Sequence, residues 1–479
     1  MSLSFDFAQD IRKQPFTLSR SKGDADFLRD HAYISPKGLS YVSQGFSPDY
    51  SRITIHACVP ERMHFGVQAR ITKKGGGNVM SRLSKAYIPF KGYYSSPFCR
   101  WQGSLANENA IALGAKTANR WFKKRKIDPT VIDYLYYGVT IAQHHLFYSH
   151  TWAAAMVVEG AKDVPALMVN QACTTAATCI YLAATNIELG AYQTGYALMS
   201  DRCSNGPHTV WPNPLGPGGE VESENWMMDN FSRDPWAGFK MIQTAENVAK
   251  NIGTTKEECD AVTLKRYQQY LDSLANDRAF QKRYMFPAEV RIGRNETKLV
   301  EVDEGVIPTT AEGLAKLAPV EPGGVHSYGS QTHPADGNAG FIVTTREKAK
   351  ELSADPKAEI QIISYGFSRA KKGYMAEAPV PASEMALRDA GITVKDLKAV
   401  KTHSPFVVND IYMSRMMGMD VYWMNNYGNS MIYGHPQGPT AGRLIAELIE
   451  EVVMLGGGYG LWAGCAAGDT GAAMVFKIG

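Results

Sequence analysis

The sequence lacks any apolar run of the roughly 18 residues that a membrane span needs, so it offers no transmembrane segment and no membrane partner is expected. Its opening, MSLSFDFAQDIRKQPF, lacks the apolar core of a secretory signal. It lacks an excess of charge as well: 50 Lys and Arg stand against 47 Asp and Glu, a net +3. That balance predicts no nucleic-acid surface. The seven cysteines, Cys58, Cys99, Cys173, Cys179, Cys203, Cys259 and Cys465, are odd in number and form no CxxC pair. A disulfide framework and a zinc ribbon are both disfavoured. No HExxH occurs among the 11 histidines, and the adjacent His144 and His145 are badly spaced for one helix face. No metal is therefore expected. What remains is an enzyme-sized chain of 479 residues, 44% hydrophobic and 20% charged, with room for two or three domains and expected in the cytoplasm.

Residues 1–84 are rich in Ser, Arg and Asp and show no sustained helical or strand period. From Lys85 onward an α/β alternation sets in. NENAIALGAKTANRWFKKRKI (107–127) has helical spacing, and TVIDYLYYGVTIA (130–142) has strand character. PALMVN (165–170) reads as a short buried strand, followed by the apolar helix CTTAATCIYLAATNIELG, which ends at Gly190. A loop-rich stretch over 204–235 precedes two helices, with Thr254 or Thr255 capping the second. The layout of 127–143 returns in 392–407, and a strand–loop–helix unit follows in each case. The arrangement expected is a duplicated α/β domain, with residues from about 200 to 325 inserted as a loop domain.

Chemistry-bearing residues gather at equivalent points of the two copies. Cys173 opens a helix, where unsatisfied N–H groups and the helix dipole favour a thiolate, so a lowered thiol pKa is expected. A cysteine in apolar surroundings is also often an inert small hydrophobe. In GHPQGPTAGR (434–443), Gly434, Gly438 and Gly442 allow tight turning and close approach. They hold His435 at a helix start, where it can take a thiol proton. WAGCAAGDTGAAMVFKIG (462–479) reads as strand, tight turn, strand, with Cys465 ending the first strand. His403 stands where the strand before THSPFVVND ends. Two cysteines and two histidines at strand ends and helix starts of a doubled α/β fold make one constellation.

From about Lys85 to Gly479 the chain resembles the thiolases, the acetyl-CoA acetyltransferases and 3-ketoacyl-CoA thiolases. FCRWQGSLANENAIALGA resembles their N-terminal stretch, and VPALMVNQACTTAATCIYLAATNIELGAYQTGYALMSDRCS their nucleophile region. TAENVAK, NYGNSMIYGHPQGPTAGR and WAGCAAGDTGAAMVF resemble the loop-domain, histidine and second-cysteine motifs. The resemblance implies a five-layered α-β-α-β-α fold of two βαβαβαββ halves, residues 85–325 with the loop domain and residues 326–479. It implies that Cys173 carries the acyl group and that His435 activates it. Cys465 would move the proton at the α-carbon, and His403 would hold a water in an oxyanion hole. The backbone at Ala467 and Gly434 would stabilise oxyanions, and Lys240, Met241 and His333 would touch coenzyme A. Coenzyme A would be a substrate, with no permanently bound cofactor. The partners implied are acyl-CoA, a second or further copies of the chain as homodimer or homotetramer, and a small accessory subunit.

The sequence departs from the family pattern in several places. Ala466 and Ala467 replace glycines in CAAGDTG, THSPF lacks an acidic residue after His403, Lys240 replaces a histidine, and SQTHPADGNAG offers no clear pantetheine serine. Two other readings stay open, a ketoacyl-synthase-like condensing enzyme and a non-catalytic acyl-CoA-binding subunit of the same fold. Cys465 argues against the first, and the altered CAAGDTG keeps the second. Residues 1–84 have no counterpart in the family pattern. KKGGGNVM before Met80 suggests a ribosome-binding site read as protein, with translation starting at Met80. The other reading is a genuine disordered or partner-binding extension.

Overall fold

The computed structural model describes residues 82–159 and 163–479, together with the backbone of two short strands nearer the N-terminus. The chain divides into two units, residues 1–74 and 75–479. In the first, β1 (Ala32–Ser35) and β2 (Gly38–Tyr41) pair as an antiparallel hairpin. The expectations for the leader, including a start at Met80, otherwise lie outside the described residues. Within the second unit, Leu83 is already buried in the central core, and its N–H donates to Ile363 O. Packing therefore begins before Lys85.

The second unit opens with β3 (Tyr87–Pro89), β4 (Tyr93–Ser95), β5 (Cys99–Arg100), α1 (Ala110–Arg125), β6 (Tyr134–Gly138), α2 (Ser149–Val157), β7 (Ala166–Val169), α3 (Thr175–Glu188) and β8 (Thr194–Arg202). An excursion follows, made of β9 (His208–Pro212), β10 (Val221–Asn225), α4 (Met228–Ser232), α5 (Met241–Ile252), α6 (Lys256–Arg278), β11 (Ala288–Arg291), β12 (Thr297–Val300) and α7 (Ala311–Lys316). The chain returns through β13 (Ala335–Thr344), α8 (Arg346–Leu352), β14 (Glu359–Arg369), α9 (Pro379–Ala390), β15 (Leu397–His403), α10 (Val408–Met417), α11 (Ser430–Tyr433), α12 (Thr440–Met454), β16 (Gly458–Ala466) and β17 (Thr470–Ile478). Helix ends follow local chemistry. Asn109 accepts from the N–H groups of Ile111 and Ala112 at the start of α1, and Thr255 caps α6 by accepting from Glu258 N–H.

The strands line up as β15-β16-β17-β14-β3-β13-β8-β6-β7, and β4 and β5 also pair with β13. Strand alternation sorts side chains into three cores. On β8, Tyr196 and Leu198 join the outer core under α1 and α2, whereas Ala197 and Met199 face the central core with α3. On β17, Ala472, Met474 and Phe476 face the same central core, and Ala473 and Val475 face the opposite outer core with α9. Helices α3 and α12 meet in the middle. The result is a five-layered α-β-α-β-α arrangement, as expected.

The second half repeats the first with one local departure. No strand corresponds to β7, and residues 420–429 run beside β15 as turns. Asn425 donates its N–H to Val400 O, and its side chain accepts from Thr402 N–H. Asn425 and Tyr427 have φ of 59° and 70°, left-handed values that break a strand ladder. In the first half, β7 is not the buried strand expected, because it ends the sheet with Leu167 and Met168 exposed.

Helix α12 is buried from Thr440 to Val452, charges included. Arg443 makes a two-pronged ion pair with Asp303 at 2.6 and 2.9 Å and a third bond to Glu447 at 3.0 Å. Its guanidinium lies 3.5 Å from the centre of the Tyr433 ring. Arg443→Met would leave two buried carboxylates without their cation. We expect a loss of about 3–5 kcal/mol, read as a lower denaturation midpoint in urea; an unchanged midpoint would contradict this account.

Candidate active site

A cleft of about 440 Å³ opens where the excursion meets the two halves. Its lining includes Cys173, His435, Gln437 and Ala467 from the layered body, and Lys240, Met241 and Ile242 from the start of α5. Phe406 and Met375 add apolar wall.

Cys173 sits one turn before α3, in a 3-10 turn over Ala172–Thr174. Ala172 has φ of 45°, a left-handed value for a residue with a Cβ. Such strain costs on the order of 1–3 kcal/mol. It is held by Asn170, whose side chain accepts from Ala172 N–H, and by Thr175, which accepts from Gln171 N–H. The turn packs between α12 and β16.

The His435 loop is built differently from the sequence expectation. Of its three glycines only Gly434 has a left-handed φ, 92°. Its N–H donates to Ser430 O at 3.0 Å, so it is not free to serve an oxyanion; its role is conformational. Gly438 instead permits close approach, since a Cβ there would come within 2.7 Å of the Asp201 carboxylate. His435 N–H donates to His333 O, fixing the loop to the 331–335 segment.

His435 Nε2 lies 3.2 Å from Cys173 Sγ, and its Nδ1 is 2.6 Å from Thr440 Oγ1. With Nδ1–H donating to Thr440, Nε2 accepts the thiol proton. His403 lies beside it, with ring centres 4.1 Å apart. His403 Nδ1 is 2.8 Å from Ser430 Oγ, and its Nε2 is buried without a partner. Gln437 Oε1 is 3.3 Å from Cys173 Sγ.

Burial reverses the expected thiol acidity. The Cys173 thiol is pushed up to about 12 by loss of solvent, although the N–H groups of Ala467 and of Cys173 itself pull it down. His403 is lowered to about 3 by burial. His435 is held well below its ordinary value by burial and by neighbouring His403. The pair therefore rests as thiol and neutral imidazole, not as thiolate and imidazolium. Cys465, at the end of β16, is fully buried and does not line the cleft. Burial holds its thiol well up, and the nearby Cys173 adds to that shift.

The thiolase N-terminal domain matches residues 92–347, and the thiolase C-terminal domain matches residues 355–478. The chain belongs to the thiolase family. Human mitochondrial 3-ketoacyl-CoA thiolase is 26% identical over 388 residues, covering 80% of this chain and 96% of that protein. Its crystal structure in complex with CoA superposes with a TM-score of 0.76, covering 83% of this chain and 99% of that one. The Bacillus subtilis 3-ketoacyl-CoA thiolase is 30% identical over 328 residues, which is 66% of this chain and 79% of that protein. The Bacillus anthracis acetyl-CoA acetyltransferase, at 23% identity and a TM-score of 0.76, shares the fold. This thiolase-family chain is an acyltransferase.

The structure brings Cys173, His403 and His435 together and sets Lys240, Met241 and Ala467 on the cleft wall. Lys240 Nζ pairs with Glu321 at 3.1 Å. His333 does not reach that cleft. On the 331–334 segment Thr332 and Pro334 line it, whereas His333 faces a neighbouring cavity of about 350 Å³. Sequence reasoning missed the groups that orient the histidines, Thr440 and Ser430, and the nearby Gln437. Thr440 lies five residues after His435 and was open to inspection; Ser430 is 27 residues from His403 and gave no signal. A buried carboxylate close to THSPF is Asp410. It accepts from Thr402 and Ser404 and pairs with the buried Arg266 at 2.8 Å.

A neutral resting pair predicts a pH profile. The thiolate is the nucleophile, and below a thiol pKa of about 12 its fraction rises about tenfold per pH unit. Alkylation of Cys173 by iodoacetamide should climb at that slope from about pH 6 to 9 without levelling. A plateau below pH 7, followed by mass spectrometry of the Cys173 peptide, would mean a preformed ion pair.

Proposed function

We propose that this acyltransferase cleaves a 3-ketoacyl-CoA with coenzyme A, or runs the reverse Claisen condensation, through an acyl group on Cys173. The single observation that carries the reading is the 3.2 Å contact between Cys173 Sγ and His435 Nε2, made at one cleft by the two halves of the fold. In the cleavage direction the sulfur attacks the 3-keto carbon and His435 takes its proton. The N–H groups of Ala467 and Cys173 stabilise the oxyanion, and a donor of this kind is typically worth about 10²–10³ in rate. The C2–C3 bond breaks, and its electron pair leaves on the acetyl-CoA carbanion, which takes a proton from Cys465, buried behind the cleft wall but close enough to Cys173 to feel its charge. Coenzyme A thiol then attacks the acyl-cysteine, releasing the shortened acyl-CoA and returning the sulfur to the enzyme. His403 would hold a water in an oxyanion hole, with Ser430 donating to Nδ1 so that Nε2 carries a proton. Coenzyme A enters and leaves as substrate, and no permanent cofactor takes part.

Two thiols with separate duties give separable variants. Cys173→Ala should form no acyl-enzyme on incubation with acetyl-CoA. Cys465→Ala should still acylate, yet lose at least about 10²-fold in carbon–carbon turnover, the scale of general acid–base catalysis. Intact-mass measurement of the adduct and a CoA-dependent cleavage assay across 3-ketoacyl-CoAs read the two steps. Full turnover by Cys465→Ala would overturn its role, and absence of any adduct on the parent protein would favour a non-catalytic acyl-CoA-binding subunit.

The same proposal includes a homodimer. Strand β6 is interior to the sheet, flanked by β7 and β8. The exposed edge is β7 instead, where Leu167 is 44% exposed, and nearby Phe147 is 93% exposed. An unpaired apolar edge favours pairing with a second copy. Light scattering at micromolar concentration should give twice the chain mass, and Leu167→Lys should shift it toward monomer. A monomeric parent protein would refute the assembly.

A further inference from the structure

The catalytic cluster has a second chemical capacity. The ligand atoms of Cys173, His403 and His435 all lie within 4.8 Å of one another, and all three residues are buried. They come from the turn before α3, the end of β15 and the loop before α12, so no spacing along the chain reveals them. Thiolate and imidazole are the donors that zinc and other soft divalent cations prefer. Bonds of about 2.0–2.3 Å in a tetrahedral site set ligand atoms roughly 3.5 Å apart. The 3.2 Å contact of Cys173 with His435 already satisfies that spacing. From the 4.8 Å bound, the third ligand needs a closure of no more than about 1.3 Å to reach that spacing.

Three observations make this more than a cluster. His403 is fully buried, and its Nε2 has no hydrogen-bond partner. Both histidines use Nδ1 on a hydroxyl, His435 on Thr440 and His403 on Ser430. That leaves each Nε2 to a ligand and fixes the ring, the arrangement by which outer groups support metal-bound histidines. A hydroxyl can donate or accept. Ser430 can therefore support His403 with a proton on Nε2 facing an oxyanion-hole water, or with a lone pair there facing an ion. Gln437 Oε1, 3.3 Å from the sulfur, adds an oxygen donor on the cleft side.

We propose that Cys173, His435 and His403 form a reversible binding site for a soft divalent cation such as Zn²⁺, which excludes the acyl group and silences the enzyme. The exchange balances without any oxidant. The Cys173 S–H bond breaks as a sulfur–metal bond forms, and one proton leaves to solvent. The reading goes beyond the proposed reaction and does not depend on turnover, because it is tested by binding.

The test titrates the full-length protein with Zn²⁺ against a chromophoric chelator, and with Co²⁺ as a spectroscopic stand-in. We expect one ion per chain, one proton released per ion, and a thiolate-to-cobalt charge-transfer band. Cys173→Ser should remove the band and weaken binding at least about 100-fold. Ser430→Ala, which keeps all three ligands, should weaken it about 10–100-fold. Cys465→Ser should leave affinity unchanged, and carbamidomethylation of Cys173 should abolish binding. A parent protein with no saturable binding or no charge-transfer band overturns the proposal. So does affinity that survives Cys173→Ser or Cys173 alkylation, which would place the ion elsewhere. Lack of thiolase turnover in the metal-free protein would count against the proposed reaction alone.

Discussion

A helix buried on every side is the constraint around which this molecule is arranged. Helix α12 lies between two sheet faces and against α3, and none of its residues from Thr440 to Val452 is exposed. Four of those residues carry charge, and a buried charge is tolerated only with a partner. Arg443 meets Asp303 and Glu447, Glu450 meets Lys91 and Arg283, and Glu451 meets Lys401. The partners are drawn from the N-terminal strand region, the excursion and β15. Placing α12 therefore places pieces of the whole chain relative to its first turn.

That first turn borders the candidate site. His435 precedes α12, Cys173 precedes α3, and the central layer points the starts of both helices at one cleft. The same enclosure that positions the groups also removes water from them. Loss of solvent outweighs the N–H groups aimed at the Cys173 sulfur, so the thiol stays protonated until a base accepts its proton. His435, held neutral by burial and by His403, is suited to that task. The electrostatics thus follow from packing, and a helix N-terminus alone predicted the opposite direction.

Much of the architecture was legible because periodic patterns are local. The 3.6-residue spacing in 107–127 gave α1, the Thr254–Thr255 pair marked the start of α6, where Thr255 proved to be the cap, and the alternation with a tight turn in 462–479 gave β16 and β17. PALMVN was read correctly as a strand and wrongly as buried. Four apolar residues look alike at the centre and at the edge of a sheet, and strand order is a long-range property. The missing strand at 420–429 was hidden for a related reason. VYWMNNY has strand-like composition, and its left-handed Asn425 and Tyr427 show only in the folded backbone.

By itself the sequence determined the element types and their order and pointed to Cys173, His403, His435 and Cys465 as candidates, since these depend on residue chemistry and short-range spacing. Tertiary structure alone decided what those side chains face. Asp410 accepts from Thr402 and Ser404, on either side of His403, because α10 folds back onto the end of β15. His333 is turned from the Cys173 cleft because extended residues alternate sides, and Thr332 and Pro334 take the cleft face. Gly434 lost its expected oxyanion role because its N–H closes a turn onto Ser430. Each outcome depends on which atoms meet across long stretches of chain, and burial then sets their protonation, which no spacing along the sequence encodes.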